Sequence, residues 1–240
     1  MLCATLAMML PVPPPLLKFS GYEWEISHSQ GKERGPGPNV FDGGPKSVWL
    51  DPKGHLHMKI HKESGRWTTT EVVLSESKGY GTYRFTLASR VDALDPQVVV
   101  GLFTWDDEEE DAHRELDVEF SRWGDPKRSN GQFVVQPYDT LGNLTRFELP
   151  PLTRSVHSFD WLPESAAFVS KTSDGKIVAE HIFGHSIPRT GKERAIINFW
   201  LYQGKDPQNG KPSELVVEKF EFIPAPAGKR KHTESLSPTG

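Results

Sequence analysis

Strand-like runs follow one another over residues 19–223, some of them continuously apolar and others alternating between apolar and polar residues. In the segment 48–61, VWLDPKGHLHMKIH, the residues Leu56, Met58 and Ile60 alternate with two histidines and a lysine after an Asp-Pro-Lys-Gly turn. Alternation of this kind is typical of a β-strand that buries one face. The segment therefore predicts two strands joined by a tight turn.

Further runs of this kind follow one another along the chain: TTTEVVLS, GTYRFTLAS, QVVVGLFTW, RELDVEF, GQFVVQPY, HSFDWL, AAFVSK, KIVAEHIF, RAIINFWLY and SELVVEKFEFIP. Turn sequences such as Asn130-Gly131 and Asp174-Gly175 separate them. About twelve strands result, and no segment has the 3.6-residue period of a helix. The pattern predicts an all-β fold, either a sandwich or a barrel.

Composition agrees with this fold class and excludes several kinds of function. The chain contains 21 Gly and 20 Pro among 240 residues, which requires many turns and leaves little room for long helices. A single Cys excludes an intramolecular disulfide and a cysteine-based zinc site. A net charge of −4, from 28 basic and 32 acidic residues, does not indicate nucleic-acid binding.

The two ends differ from the middle and suggest three regions. Residues 1–17 carry no charge and have the length of a signal-peptide apolar region, without the basic residues that normally precede it. The apolar run is too short to span a bilayer, so we expect no stable membrane insertion and a secreted or periplasmic protein. Residues 225–240 lack apolar periodicity and predict a disordered tail. Residues 18–224 then form one domain.

Three carboxylates occupy alternate positions in residues 113–124, HRELDVEFSRWG. Because side chains alternate along a strand, Glu115, Asp117 and Glu119 share one face, and the apolar residues between them share the buried face. Carboxylates this close repel one another, so a partly buried member holds its proton at a raised pKa. We expect Asp117 and Glu115 to be the chief cause of a raised pKa at Glu119. A protonated carboxyl beside an ionised one suits acid/base catalysis.

Glycoside hydrolysis requires such a pair of carboxyl groups. Retaining enzymes hold them about 5–5.5 Å apart, whereas inverting enzymes leave about 6.5–9.5 Å for a water molecule. The Cα atoms of residues i and i+4 on a flat strand are about 13 Å apart. Two Glu side chains leaning together on a concave sheet can close that gap, which favours the retaining mechanism. The alternatives are a solvated acidic strand face and a calcium-binding edge.

The same segment resembles the motif of glycoside hydrolase family 16, which comprises laminarinases, lichenases and xyloglucan transglycosylases: Glu, aliphatic, Asp, aliphatic, Glu, Phe. It lacks the extra residue of the bulged form and is therefore more similar to lichenases and xyloglucan enzymes. The resemblance implies that Glu115 is the nucleophile, Asp117 its support and Glu119 the acid/base. His113 stands where xyloglucan enzymes place a His.

The resemblance extends over roughly 160 residues, through 68–89, 131–138, 157–161 and 196–201 in family order. It implies a concanavalin A-like jelly roll, a sandwich of two curved antiparallel sheets with a concave substrate cleft. The chain departs from the family at FSRWG, where Phe-Leu-Gly is usual, and in the acidic insert DDEEEDA at 106–112.

Sugar rings stack on tryptophan through their apolar C–H faces, and amide groups bond their hydroxyls. Tryptophans beside the motif strands and two glutamines on one face of the next strand are therefore candidate contacts, and the resemblance adds a His, a Glu and an Asn. The predicted substrate contacts are Glu71, Trp105, His113, Trp123, Gln132, Gln136, Asn198 and Trp200. Of the other tryptophans, Trp24, Trp49 and Trp161 are expected in the core.

Two weaker patterns predict no site. His55, His57 and His61 share a strand face, but the sequence places no carboxylate beside them, so we expect no metal and no cofactor. The acidic run 106–111 is expected to be a solvated loop.

The favoured function is a retaining endo-β-glycosidase acting on a β-glucan-like polysaccharide, as a monomer and without nucleic acid. One alternative is a non-catalytic jelly-roll carbohydrate-binding protein, against which the repelling carboxylates argue. A second alternative is a transglycosylase with the same site, in which a sugar replaces water.

Overall fold

A computed structural model describes residues 14–229. Most of the predicted leader 1–17 and of the predicted tail 225–240 lies outside the described residues. The first strand nevertheless begins at Leu16, within the predicted leader, and the last strand ends at Pro224.

The described residues form eighteen strands joined by turns and short 3-10 segments. In chain order the strands are β1 (Leu16–Phe19), β2 (Tyr22–Ile26), β3 (Glu33–Arg34), β4 (Asn39–Val40), β5 (Val48–Leu50), β6 (Leu56–Glu63), β7 (Arg66–Thr68), β8 (Thr70–Leu74), β9 (Gly81–Leu87), β10 (Val98–Trp105), β11 (Leu116–Phe120), β12 (Gly131–Val135), β13 (Leu144–Phe147), β14 (Ser155–Leu162), β15 (Ser165–Thr172), β16 (Ile177–Phe183), β17 (Arg194–Leu201) and β18 (Ser213–Pro224). Within residues 14–229 no helix is both long and apolar enough to cross a membrane.

Two large antiparallel sheets account for most of these strands and confirm the predicted jelly-roll sandwich. The first, here called the cleft sheet, has the order β1-β2-β8-β17-β10-β11-β12-β13. The second, here called the back sheet, has the order β16-β15-β14-β9-β18-β6-β5, with β7 paired to β6. Strands β3 and β4 form a separate two-stranded ribbon.

The core lies between the two sheets and uses one face of each strand, as the alternating pattern predicts. On β11, Leu116, Val118 and Phe120 are fully buried, and on β6 the same is true of the predicted apolar residues. Full burial of one such side chain stabilises the fold by about 1.5–3 kcal/mol. Because this inward row fixes the register of β11, the intervening carboxylates must face the opposite side.

Two of the three tryptophans that were expected in the core lie in it. Trp24 and Trp161 are fully buried, and their indole N–H groups donate to the carbonyls of Phe19 and Pro188 at 3.2 and 3.1 Å. The expectation for Trp49 is wrong: its ring is half-buried and stacks on His57, with centroids 4.9 Å apart. It follows the buried Val48 on edge strand β5, so alternation turns it away from the core.

Candidate active site

The three predicted carboxylates line one cleft of about 1060 Å³ on the outer face of the cleft sheet. Asp117 and Glu119 lie on β11, and Glu115 immediately precedes that strand. The carbonyl of Glu115 accepts from the backbone N–H of Gln136 at 3.1 Å, which continues the pairing of β11 with β12. The predicted shared face is therefore confirmed.

Strand register places four cleft-lining residues in a row across the sheet, with Gln132, which does not line the cleft, at its end. Glu71 on β8 is opposite Asn198 on β17, which is opposite Gly101 on β10. Gly101 is in turn opposite Glu119, and Glu119 is opposite Gln132 on β12. Four predicted residues from distant parts of the chain therefore lie in one line.

The two predicted glutamines contact the carboxylates. Gln132 Nε2 donates to Glu119 Oε2, and Gln136 Nε2 donates to Asp117 Oδ2 at 3.1 Å. Asp117 is 3% exposed and Gln132 is 5% exposed, so these bonds are shielded from water. They fix the orientation of two of the three carboxyl groups.

Burial makes Asp117 the proton holder of the group. Its pKa is raised well above the usual range, first by burial and then by the charges of Glu115 and Glu119. Asp117 also shares a hydrogen bond with Glu115 that raises the pKa of Asp117 and lowers that of Glu115. Above the pKa of Glu115, about 7, Asp117 is therefore the donor of this bond and Glu115 its acceptor. The hydrogen bond from Gln136 lowers the pKa of Asp117 and so opposes part of its rise.

The pKa values of the two glutamates on either side of Asp117 are raised as well. Burial is the largest cause that raises the pKa of Glu115, to about 7, and the charge of Glu119 adds to it. Burial also raises the pKa of Glu119, while the bond from Gln132 and the charge of Arg146 lower it. The raised pKa of Glu119 agrees with expectation. Its cause differs, because loss of solvent outweighs the neighbouring charges.

Asn198 and Gln132 offer unused polar atoms beside the carboxylates. Asn198 Oδ1 and Gln132 Oε1 are buried and have no hydrogen-bond partner among the described residues. Asn198 fits only because its neighbour on β10 is Gly101: a Cβ there would lie 2.4 Å from Asn198 Oδ1. Unpaired buried acceptors are costly in a folded protein and are suited to bind a ligand's hydroxyl groups.

The predicted aromatic contacts separate into two groups. Trp105 and Trp200 line the cleft, and Trp105 packs beside a small apolar patch of Val73, Phe103 and Ile196. His113 does not line the cleft; it stacks on Trp105 at 4.0 Å between ring centroids, and its Nδ1 contacts the carbonyl of Asp106 at 2.9 Å. The structure therefore places His113 behind Trp105, where it supports that ring.

Trp123, a predicted substrate contact, does not line the cleft, and its ring is covered by a cation. The guanidinium of Arg146 is 4.4 Å from the centre of its ring. Arg146 lies on β13 directly opposite Gln132, which bonds Glu119. Sequence reasoning did not identify Arg146, because only the pairing of β12 with β13 brings it near the carboxylates.

Glu71 is held by groups that the sequence did not connect to it. The hydroxyl of Ser27 and the guanidinium of Arg34 donate to Glu71 Oε1 at 2.7 and 2.8 Å. Arg34 lies on β3, and its guanidinium is also 4.1 Å from the ring centre of Phe41. Arg34 lines the cleft and was not among the predicted site residues.

Residues 107–110 of the acidic insert are exposed, as expected of a solvated loop, but the expectation is wrong for Asp106, which is buried, and ion pairs fasten the insert. The buried Arg114 donates to Asp106 at 3.1 Å and to Glu110 at 2.9 Å. Arg189 pairs with Asp111 at 3.1 Å. Asp106, Asp107 and Glu108 line the cleft. The insert thus forms part of the cleft wall.

A left-handed turn connects the insert to Glu115. The φ angles of residues 111–114 lie between 51° and 60°, and none of the four is glycine. Such residues cost roughly 1–2 kcal/mol each. The buried ion pair of Arg114 with Asp106 helps to hold this strained turn, which sets where Glu115 enters the strand.

One histidine–carboxylate group with metal-ligand spacing occurs among residues 14–229: Asp42, His61 and Glu63. None of these three residues lines the cleft.

Comparisons with known proteins agree with this geometry at the level of the fold. No protein-family model matches the chain, and no curated protein matches it. A solved Bacillus licheniformis β-glucanase superposes with a TM-score of 0.65 and 18% identity, over 90% of this chain and 100% of that one. The chain has the jelly-roll fold of the β-glucanases.

Two other solved structures show the range of proteins with this fold. A prokaryotic β-1,3-1,4-glucanase (lichenase) derived from a mouse hindgut metagenome matches with a TM-score of 0.58 and 19% identity, over 84% of this chain and 93% of that one. An immunostimulatory antigen and pseudo β-1,3-glucanase of Mycobacterium tuberculosis matches with a TM-score of 0.63 and 17% identity, over 84% of this chain and 91% of that one. The β-glucanase fold therefore occurs in proteins described as enzymes and in one described as a pseudo-enzyme.

Proposed function

We propose that the protein is a retaining endo-β-glycosidase of the family 16 type that hydrolyses a β-glucan-like polysaccharide. The observation that carries the proposal is the row of Glu115, Asp117 and Glu119 that lines one cleft, with Asp117 buried between two half-buried glutamates. Asp117, held protonated, donates to Glu115 and leaves the two outer groups for separate roles.

In the first step the ionised carboxylate of Glu115 attacks the anomeric carbon, and Glu119 gives its proton to the departing glycosidic oxygen. The electron pair of the broken C–O bond stays with that oxygen, and a glycosyl ester forms on Glu115. In the second step the ionised Glu119 takes a proton from water, and the resulting hydroxide replaces Glu115 at the same carbon. Two inversions restore the β-configuration.

The surrounding groups suit a neutral sugar polymer. Trp105 and Trp200 offer faces for ring stacking, and the unpaired oxygens of Asn198 and Gln132 can accept from hydroxyl groups. The cationic residues Arg34 and Arg194 in the cleft wall are each paired with a carboxylate, at 2.8 and 3.1 Å. We further propose a monomer that is secreted or periplasmic.

The second candidate function is a carbohydrate-binding protein without activity. One similar structure is described as a pseudo β-1,3-glucanase, which keeps this alternative open. The placement of three carboxyl groups side by side in one cleft favours catalysis, because a binding protein gains nothing from their repulsion. A transglycosylase uses the same groups and differs only in the acceptor of the second step.

The test is a screen of the purified protein against mixed-linkage β-glucan, laminarin, xyloglucan and galactans, with new reducing ends as the readout. We expect release of oligosaccharides from at least one β-glucan, and a first product that proton NMR identifies as the β-anomer. An α-anomer in the first minutes would exclude the retaining mechanism. Binding without any cleavage would favour the carbohydrate-binding protein.

Glu119→Ala provides the test of the acid/base assignment. The variant should cleave only substrates whose leaving group needs no protonation, because Glu115 can still form the ester. Added azide should restore turnover by entering the vacated space and attacking that ester. Full activity of Glu119→Ala on the natural polymer would contradict the assignment.

A further inference from the structure

A cluster at the edge of the back sheet, separate from the cleft, has the composition of a metal site. Asp42 follows β4, whereas His61 and Glu63 lie at the end of β6. One ligand atom from each lies within 4.8 Å of the others. We propose that Asp42, His61 and Glu63 bind a divalent transition-metal ion of the Zn²⁺ class.

Strand pairing brings these distant residues together. His61 is opposite Thr68 in the pairing of β6 with β7, and Phe41 bridges Thr69. The backbone N–H of Asp42 donates to the carbonyl of Thr69 at 2.9 Å, which places Asp42 beside β7. His61 and Glu63 are two residues apart on one strand, so their side chains leave the same face.

The strongest evidence for metal binding is the imidazole of His61. Its Nδ1 atom is shielded from solvent and has no hydrogen-bond partner among the described residues. A shielded ring nitrogen without a partner costs free energy, and a metal ion would satisfy it. The sequence places Glu63 on the same strand face as His61, but only the fold brings the distant Asp42 beside them.

Asp42 is already oriented as a ligand would be. Its Oδ2 accepts from the hydroxyl of Ser47, and its Oδ1 accepts from the backbone N–H of Gly44 at 3.2 Å. Hydrogen bonds of this kind orient metal-binding carboxylates in known sites. The nearby His28 is not counted as a ligand, because its Nδ1 accepts from the backbone N–H of Gly43 at 3.2 Å.

The donor set favours Zn²⁺ over Ca²⁺ or Mg²⁺. An imidazole nitrogen with two carboxylates suits Zn²⁺, whereas Ca²⁺ and Mg²⁺ prefer oxygen ligands throughout. The two carboxylates also balance the charge of a divalent ion. Bonds of about 2.0–2.1 Å in a tetrahedral site separate the ligand atoms by roughly 3.4 Å, so small side-chain rotations, above all of the exposed Glu63, bring the three ligands to this spacing.

A metal here would fasten the ribbon β3–β4 to the back sheet. Asp42 lies two residues after β4, and the ribbon carries Arg34, Gly35 and Pro36 into the cleft wall. Because the ion binds only the folded arrangement, it stabilises the protein by mass action. The expected role is therefore structural, outside the reaction itself.

The test is titration calorimetry of chelator-treated protein, prepared without a histidine tag, with Zn²⁺ and with Ca²⁺. We expect one Zn²⁺ per chain and a rise of about 5–10 °C in Tm at a hundredfold excess over Kd. His61→Asn should weaken Zn²⁺ binding by more than the roughly 10–100-fold loss typical of an outer-shell residue. Glu63→Gln, a change at an exposed side chain that leaves the fold intact, should weaken it as well.

His55→Asn is the matched control. His55 Nδ1 is 3.3 Å from Asp51 Oδ2, so it belongs to a separate histidine–carboxylate pair near the same sheet edge. Its loss should leave Zn²⁺ binding and the Tm rise unchanged. The proposal is overturned if Zn²⁺ does not bind, if only Ca²⁺ binds, if Glu63→Gln and His61→Asn bind as the original chain does, or if His55→Asn abolishes binding.

Discussion

The three cleft carboxyl groups show how position along one strand separates chemically identical side chains. Asp117 sits in the middle with a neighbour on each side and is the most buried, so it keeps its proton. Glu115 accepts from Asp117, and Glu119 accepts from Gln132. The alternating pattern predicted this shared face. It could not predict the degree of burial, which depends on strands distant in the chain.

Glu115→Gln should abolish turnover and stabilise the fold. The amide cannot attack the anomeric carbon, so activity should fall at least about 10³-fold. The folded-state pKa of Glu115 is raised from 4.5 to about 7, so the stability it confers is present below pH 4.5 and is lost as pH rises towards 7. At pH 7–8 the variant should be more stable by on the order of 2–3 kcal/mol.

Urea unfolding of both proteins at pH 4 and pH 8 checks the stability part. The difference should vanish at pH 4, where both states of the original chain hold the proton. A variant that is less stable at pH 8 would contradict the description of Glu115 as a carboxyl strained by burial.

Arg146 should control the alkaline limb of the pH–activity profile. Its charge lowers the pKa of Glu119, so Arg146→Met should raise that pKa and move the limb to higher pH. Arg146→Lys keeps the charge and serves as the control. Arg146 is exposed, so salt at about 0.5 M should shrink the shift. Identical profiles for the Met and Lys variants would exclude an electrostatic role.

Whole elements were predictable to different extents. Strand β11 was predicted closely, because its buried face and its carboxylate face alternate without interruption. The ribbon β3–β4 was not predicted, because strands of two residues carry no periodicity. The sequence indicated the exposed part of the acidic insert but not its fastening by Arg114 and Arg189, because ion pairs across loops leave no trace in a local pattern.

Gly101→Ala tests the close approach of β10 and β17 beneath the cleft. The added Cβ would lie 2.4 Å from Asn198 Oδ1, the end of a side chain that can rotate away. We expect a modest loss of stability, on the order of 1–2 kcal/mol, and a loss of activity of about tenfold as Asn198 leaves its place. Kinetics and urea unfolding measure the two effects.

The matched comparison is a double-mutant cycle with Asn198→Ala. If the loss of activity arises through Asn198, adding Gly101→Ala to Asn198→Ala should cost little more activity. Independent, additive losses would show that Gly101 affects the site by another route.

At the scale of the whole molecule, the sandwich is specified by burial and not by particular residues. The chain shares only 18% of its residues with a β-glucanase whose fold it matches at a TM-score of 0.65. What the two must share is the alternation that buries one face of each sheet. The fold class was accessible from sequence for this reason, whereas the side chains that line the cleft around the carboxylates required the three-dimensional register.

The interior of the sandwich also sets its response to acid through His157. This residue is fully buried on β14, where its ring nitrogens contact the hydroxyl groups of Ser170 and Ser155 at 2.9 and 2.8 Å. Burial lowers its pKa from 6.5 to about 3. A depressed folded-state pKa gives stability that is present above pH 6.5 and is lost as pH falls towards 3. The full contribution is on the order of 4–5 kcal/mol.

His157→Asn should therefore flatten the acid side of the stability profile. At pH 7 the variant loses stability through poorer packing, but between pH 6 and pH 4 its free energy of unfolding should fall less than that of the original chain. The contribution of Glu115 to stability changes with pH in the opposite direction over part of this range. The free energies of unfolding of His157→Asn and the original chain must therefore be compared at the same pH. The exposed His185, replaced by Asn, is the control and should keep the original slope. Equal slopes for His157→Asn and the original chain would show that His157 does not govern acid unfolding.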